Sequence, residues 1–397
     1  MSRPKSDKFY VEPGIQDRHF FSNLLPKGIV RRELEHSKKI HHGDDFALLA
    51  DIGRDCAGAL SITDTPEPPI AEQAWYQEIG EQAIRDVIAS KGYYLPFTGE
   101  TPVRLSLAGA QHKWAVYRDQ IGTLHWPHGS GVSSHIIKFP HSAVNNLPLN
   151  EAFCTRFLGD LELPVITTTA YNDYVLSSRY DRKTLADGTI ARVHQEDFLQ
   201  ASGYSSHEKY GISGGIQLSE IAKILRSHSY RPVHDINVLL QRQLANIITG
   251  NTDAHGKNLS ILYTASGPTL SPLYDLTSTL LFGKLLDQRY AFPISPDETR
   301  KVPNTQDIAF IARSLGVRPA LVMEQSEKLT QLAINRMTDS VISFYEQHQF
   351  VKKRGMVSNL ANAILRWVKA IRKSLHLESI RIPRIDDSHT REDRGCK

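Results

Sequence analysis

Cysteine is scarce: the 397 residues hold only Cys56, Cys154 and Cys396, with no C-x-x-C spacing. Neither a disulfide framework nor a zinc site is expected, and a reducing cytoplasm is the expected compartment. No apolar run reaches the ~20 residues that a membrane-spanning helix needs. The charged start Met1-Ser2-Arg3-Pro4-Lys5 also lacks the apolar stretch of a secretion signal, so neither export nor membrane insertion is expected. A strong charge excess is missing too. The formal charge is +4 and the pI about 8.8, too mild to mark a nucleic-acid-binding protein. No internal repeat is present. What remains is ordinary globular composition, 40% hydrophobic and 23% charged, in a chain long enough for two packed lobes and a tail.

Residues 1–24 are polar and read as extended, and residues 29–60 carry helical spacing with Asp44-Asp45 as candidate caps. A Pro-, Thr- and Glu-rich linker fills 61–74, and Ile79 to Ile88 fits another helix. Between Arg104 and Phe139 short alternating runs predict an antiparallel sheet. Helical spacing returns at Leu149–Leu158, followed by two β-rich runs, Val165–Tyr171 and Tyr174–Tyr180, around a turn at Asn172-Asp173. Beyond Asp181 the periodicity predicts helices at His194–Ala201, Leu218–Ser227, Ile236–Ile248, Thr305–Ser314 and Leu321–Gln347. A sheet carrying one helix and followed by a helical half is an α+β, bilobal protein-kinase-like arrangement, with a β-rich N-lobe and an α-helical C-lobe. The expected divisions are an N-terminal segment and linker at 1–100, the N-lobe with a phosphate loop at 101–181, the C-lobe with the catalytic loop at 182–350, and a basic helix and tail at 351–397.

The densest polar string, Asn251-Thr252-Asp253-Ala254-His255-Gly256-Lys257-Asn258, lies between an apolar helix and the apolar run Leu259–Tyr263. Protein kinases set a catalytic Asp five positions before a metal-binding Asn, because one loop must reach both the attacking hydroxyl and the metal beside the phosphates. Asp253 and Asn258 have that spacing. Asp275, one β-run later, stands where a second magnesium ligand is needed, and hard oxygen ligands suit that ion. Upstream, Lys138 in the run Ile136-Ile137-Lys138 is placed to neutralise ATP phosphates, with Glu151 at a helix start as its partner. The loop from Ser106 to Lys113, with Gly109, Ala108 and Ala110, is small enough for backbone N–H groups to approach phosphate. It has a single glycine and is not a G-x-G-x-x-G loop. Each part has a structural reading as well: Lys138 as an edge residue, Ser106 as a turn serine, the 251–258 string as an Asx-turn and cap with His255 holding it. Their occurrence in kinase order favours catalysis.

Together with Phe21-Ser22-Asn23-Leu24-Leu25-Pro26, Phe46–Ala59, Leu105–Lys113, His194–Phe198 and Ser271–Asp275, these residues resemble the HipA-like serine/threonine kinases of bacterial toxin–antitoxin systems. The resemblance implies Asp253 as catalytic base, Asn258 and Asp275 as magnesium ligands and Lys138 as the ATP-phosphate lysine. It also implies that Ser106, Gly109, Gln111, Lys113, His255 and Lys257 lie around the nucleotide, and that Arg179-Tyr180-Asp181 is a hinge, with Asp181 at the ribose. Ser106 is implied as the site of autophosphorylation. A protein substrate such as an aminoacyl-tRNA synthetase, notably glutamyl-tRNA synthetase, and a small helix-turn-helix antitoxin are the implied partners, with DNA met only through the antitoxin. Members of the family carry β-strands before the Phe-Ser-Asn-Leu-Leu-Pro motif, so that subdomain is expected to be absent here or supplied by a separate chain.

The tail stretch from Lys352 to Arg384 is rich in Lys and Arg with one acid, Glu378. Val357, Leu360, Ala361, Ile364, Val368, Ile371 and Leu375 recur at helical spacing, which fits either a docking element or a core helix with a solvated basic face. Two rival functions remain open to the sequence: a nucleotide-binding co-repressor scaffold, and a kinase acting on a small molecule or lipid.

Overall fold

The computed structural model describes residues 15–64, 73–90, 111–141, 144, 146–283, 287–349 and 351–386. The first described residues form three helices, α1 (Ile15–Ser22), α2 (Gly28–Ser37) and α3 (Asp45–Ile52), around a small core of Leu24, Leu25, Leu34, Leu48, Leu49 and Ile52. Asp44 caps α3 by accepting from the Ala47 N–H at 2.9 Å. The helix α1 replaces the extended start expected from its polar composition. It forms because it has something to dock on: the Asn23 amide donates to the Tyr204 carbonyl at 2.9 Å, and the His19 ring lies 3.0 Å from the Gly203 carbonyl.

Next come β1 (Trp75–Glu78), α4 (Glu81–Ala89), β2 (Lys113–Arg118), β3 (Leu124–His128), β4 (His135–Lys138), α5 (Leu147–Asp160), β5 (Thr168–Ala170) and β6 (Val175–Ser178). The six strands form one antiparallel sheet in the order β1-β3-β2-β4-β6-β5. Trp114, Trp126, Ile137, Phe139 and Leu176 on one side of it pack with α4. Helix α5 is buried in the opposite direction, with Phe153 edge-on to Phe344 in the helical half.

A short ribbon, β7 (Arg182–Thr184) with β8 (Ile190–Arg192), leads to β9 (His194–Asp197) and α6 (Phe198–Ser202). The helix expected over His194–Ala201 is thus a strand for its first half. His194 to Asp197 pair with the edge of a later strand, and Asp197 then starts α6 through a capping box with Gln200. The helical half follows: α7 (Leu218–His228), α8 (Pro232–Thr249), the pair β10 (Ser260–Thr264) and β11 (Gly267–Leu270), then α9 (Thr305–Leu315), α10 (Pro319–Gln347) and α11 (Arg354–Ser374). Helix α8 ends at Gly250 in the left-handed region (φ +64°), where a Cβ would come within 2.5 Å of Leu280. That stop delivers the polar 251–258 string to the junction of the two halves. No helix among the described residues is long and apolar enough to cross a membrane.

The alternatives for the tail are decided by burial. Val357, Leu360, Ala361, Ile364, Leu365, Val368 and Ile371 are all buried in the main core, and the Trp367 ring N–H donates to the Ile247 carbonyl of α8 at 2.8 Å. Arg372 departs from the solvated basic face, since it is buried and bonded to the Glu378 carbonyl and Thr330. At about 1.5–3 kcal/mol for each buried apolar side chain, this helix accounts for as much free energy as a whole domain's net stability of roughly 5–15 kcal/mol. Truncation after Gln349 is therefore expected to abolish cooperative unfolding by circular dichroism. A soluble truncated chain with an unchanged melting curve would contradict it.

Candidate functional site

Between the sheet and the helical half lies a cleft of about 1000 Å³, lined by Lys113, Lys138, Tyr180, Asp253, Asn258 and Asp275 among others. The floor is the loop after α8. The Asp253 carbonyl accepts from the His255 N–H at 2.8 Å and the Asn258 amide at 3.3 Å, and Gly256–Asn258 make a single 3-10 turn. This tight winding points the side chain of Asp253 at the cleft, where it accepts from the Tyr210 hydroxyl at 2.8 Å. Partial desolvation by the cleft walls raises the pKa of Asp253 above the ordinary value, against the opposing pull of Lys209 and Tyr210, although the side chain stays open to solvent.

Lys138, near the end of β4, places its ammonium 2.6 Å from Glu151 of α5 and 2.8 Å from Asp275. Burial opposes the Lys138 charge, but the two carboxylates outweigh it and raise its pKa. Burial likewise works against Asp275, whose carboxyl is nonetheless held well below the usual range by Lys138 and Lys113. Asp275 has φ +59°, a left-handed backbone that costs a non-glycine residue on the order of 1 kcal/mol and persists only where the surroundings enforce it. Its neighbour Tyr274 is anchored, its hydroxyl donating to the Lys257 carbonyl at 2.9 Å and its ring stacking on Tyr180 at 5.0 Å, while Lys138 holds the Asp275 side chain.

Lys113 sits directly opposite Lys138 in the β2–β4 ladder, so both side chains share the cleft face. Burial, with Lys138 next, pushes the Lys113 pKa down to about 8. The two ammonium groups stand side by side on a recessed face, with Glu151 and Asp275 as their counter-charges.

His255 is buried, and burial pushes its pKa down to about 3, so it is neutral at physiological pH. Its Nε2 lies 2.9 Å from the Lys209 ammonium and must be the acceptor there. Lys257 borders the cleft, but its ammonium donates to the Asn23 carbonyl (3.0 Å), the Asn23 amide oxygen (2.9 Å) and Asp197 (2.5 Å). Gln111 donates to the Phe139 carbonyl at 2.7 Å beside the cleft. Ser106 and Gly109 lie outside the described residues.

Arg179, Tyr180 and Asp181 follow β6 at the crossing between halves. The Tyr180 hydroxyl bonds to Gln195 and, at 3.1 Å, to Ser260. Asp181 is turned away from the cleft's centre, one oxygen taking the Arg179 Nε at 3.0 Å and the other taking Arg179 (2.8 Å), Arg182 (3.0 Å) and the Gly58 N–H (2.7 Å).

Three participants were not singled out from the sequence. Tyr210 and Lys209 reach the loop from a segment more than forty positions upstream, with no periodic signal. Asp55, within the stretch Phe46–Ala59, is 4% exposed and faces Arg179 (3.4 Å), Arg182 (2.8 Å) and Arg192 (3.5 Å). An invitation existed in the string Arg179-Tyr180-Asp181-Arg182, where two arginines flank an acid, but nothing local points to Asp55.

Comparison with known proteins bears on this arrangement. A model of the HipA-like C-terminal domain matches residues 105–342, and one of the HipA N-terminal domain matches residues 4–63. The protein Y4mE of Sinorhizobium fredii is 32% identical over 372 residues, covering 90% of this chain and 86% of its own length. The chain belongs to the HipA-like kinase family. The serine/threonine-protein kinase toxin HipA of Shewanella oneidensis is 28% identical over 279 residues, 66% of this chain and 63% of that protein. A chain of the solved Shewanella oneidensis MR-1 complex of HipA, HipB and operator DNA superposes with a TM-score of 0.77 over 92% of this chain and 88% of its own, at 23% identity. That likeness concerns the fold, which is the bilobal, kinase-like α+β fold of the HipA-like proteins.

ATP use is a property of this family of kinases, and the Lys113–Lys138 pair gives it a measurable consequence here. A phosphate ligand favours the charged form of Lys113, so above its pKa of about 8 binding must take up a proton. Affinity for Mg-ATP is expected to be flat below that pH and to fall by up to about tenfold per pH unit above it. Titration calorimetry from pH 7 to 9.5 checks this, and Lys113→Met should flatten the profile while weakening binding at pH 7.

Proposed function

We propose that this chain transfers the γ-phosphoryl group of Mg-ATP to a serine or threonine of a protein, as part of a toxin–antitoxin system. The observation that carries this reading is the convergence in one cleft of Asp253, Asn258 and the Lys138–Glu151–Asp275 ion pairs. Asp253, with its raised pKa, is placed to accept the proton of an attacking hydroxyl. Lys138 binds and orients the nucleotide phosphates, and the ring of Tyr180 closes the cleft on the hinge side.

Magnesium fits the donors present. Asn258 spends its amide N–H on the Asp253 carbonyl and Asp275 shares Oδ1 with Lys138, so among the described residues the Asn258 side-chain oxygen and Asp275 Oδ2 stay available. Two hard oxygens suffice for an ion that keeps several waters and binds the substrate's phosphates, where it would neutralise charge on them.

The substrate proposed is an aminoacyl-tRNA synthetase such as glutamyl-tRNA synthetase, whose phosphorylation would stop translation. A small helix-turn-helix antitoxin is the proposed partner, bridging the chain to operator DNA, and Ser106 the proposed site of self-phosphorylation. What supports these finer points is family membership.

Incubating the purified protein with γ-labelled ATP, magnesium and cell lysate tests the reading. Phosphoserine or phosphothreonine in a discrete protein band is expected, with mass spectrometry locating self-phosphorylation on Ser106. Label confined to small molecules or lipid, or no transfer at all, would overturn it.

A further inference from the structure

We propose that Lys209 is a catalytic residue whose ammonium contacts the phosphoryl group in transit, supplying from outside the catalytic loop a cation that the loop itself does not provide. This rests on reading the cleft as a kinase site.

The transferred phosphoryl carries its charge on three equatorial oxygens while bonds to two others exchange, so a fixed donor beside the catalytic carboxylate is worth more there than in the ground state. The loop's own lysine is unavailable. All three N–H groups of Lys257 are directed outward, to two oxygens of Asn23 and to Asp197. Lys138 is already engaged, its ammonium held between Glu151 and Asp275.

Lys209 is positioned instead. Its carbonyl accepts from the Gly256 N–H at 3.0 Å, which ties its backbone to the catalytic loop. Its ammonium donates to the neutral His255 Nε2 at 2.9 Å and lies 4.7 Å over the ring of Tyr210, whose hydroxyl in turn bonds Asp253. An ammonium has three N–H donors, and one is used by His255. The others have no hydrogen-bond acceptor among the described residues, and the residue borders the cleft. Burial disfavours this ammonium and Lys257 repels it, while Asp253 and Asp275 attract it. An incoming phosphoryl oxygen supplies the acceptor this half-buried cation lacks.

In the reaction so assigned, the acceptor hydroxyl oxygen forms a bond to Pγ as the bond from Pγ to the β,γ-bridging oxygen breaks. The electron pair of the broken bond stays on ADP, and the hydroxyl proton passes to Asp253. Lys209 donates hydrogen bonds to the non-bridging oxygens throughout and neither gains nor loses a proton.

The test compares wild type, Lys209→Met and Lys209→Arg in phosphoryl transfer, in Mg-ATP affinity, in affinity for Mg-ADP with aluminium fluoride as a mimic of the transferring group, and in thermal melting. Lys209→Met should lower kcat by about 10²–10³-fold, with Mg-ATP affinity and melting temperature nearly unchanged and affinity for the mimic reduced alongside kcat. Lys209→Arg should recover part of both. A Lys209→Met rate within about tenfold of wild type would overturn the proposal. So would a loss in which Mg-ATP affinity and melting temperature fall together while the preference for the mimic over ATP is kept, because that is the signature of a residue that only holds His255. If wild type neither transfers phosphate nor captures the mimic, the kinase reading itself fails, and the role of Lys209 falls with it.

Discussion

Asp253→Asn and Asp275→Asn are each expected to reduce phosphoryl transfer by about 10³-fold or more, through losses that binding measurements can tell apart. Asp253 faces the open cleft and, among the described residues, bonds the Tyr210 hydroxyl and, through its backbone, its own loop. Asparagine keeps that shape and can still accept from Tyr210, so folding and Mg-ATP affinity should be close to wild type while the proton acceptor is gone. Asp275 carries more. Its charge is shared by Lys138 and Lys113, and its second oxygen is one of the two proposed above to hold magnesium. Losing it leaves Lys138 with Glu151 alone and deepens the repulsion across the β2–β4 ladder, so Mg-ATP affinity should fall with the rate. Single-turnover phosphorylation with calorimetric nucleotide binding on both variants separates the two roles. Wild-type transfer in either purified variant would remove that residue from the reaction.

How much of this could be read from the sequence follows from the range over which each constraint acts. The loop from Asn251 to Asn258 was legible because its chemistry is local: five residues fix the separation of an acid and an amide whatever surrounds them. Lys138, Glu151 and Asp275 were legible by their order along the chain, and they meet within 2.8 Å because β4, α5 and the strand pair β10–β11 converge on one cleft. The long helices α8, α10 and α11 were legible from apolar spacing sustained over several turns.

Short elements were not. Four residues of β9 carry too little pattern to separate strand from helix, and α1 forms because α6 receives it. The direction of a lysine is also invisible in sequence: Lys257 sits inside the most informative string yet its ammonium reaches Asn23 and Asp197, while Lys209, in no motif, reaches His255 of that same string. Both outcomes depend on contacts made across distant parts of the chain, which no local window contains.

Asp55→Asn should show the largest effect on stability of any single charge change described here. Asp55 is buried where the N-terminal helices meet the crossing between halves, and its carboxylate answers three arginines while accepting from the Ser133 hydroxyl at 2.5 Å. Next to it Gly58, at φ +75°, lets its N–H reach Asp181, and a Cβ there would come within 2.7 Å of the Gln195 backbone. Removing one partner of a buried ion network leaves the others charged and desolvated, at a cost of about 3–5 kcal/mol. A fall of several degrees in melting temperature is expected, together with weaker Mg-ATP binding as Arg179 and Arg182 lose the contacts that fix the cleft-lining Arg179–Asp181 segment. The pH dependence gives the mechanism a sign. Burial opposes the Asp55 charge, but Arg179, Arg182 and Arg192 outweigh it and hold its pKa below the ordinary value of 3.8. Its contribution is then complete above the unfolded-state pKa and is lost as pH falls through the folded-state one. Wild type and Asp55→Asn should differ most near neutrality and converge in acid, whereas a difference in melting that stays constant from pH 7 down to pH 3 would mean that shape, not charge, is what Asp55 contributes.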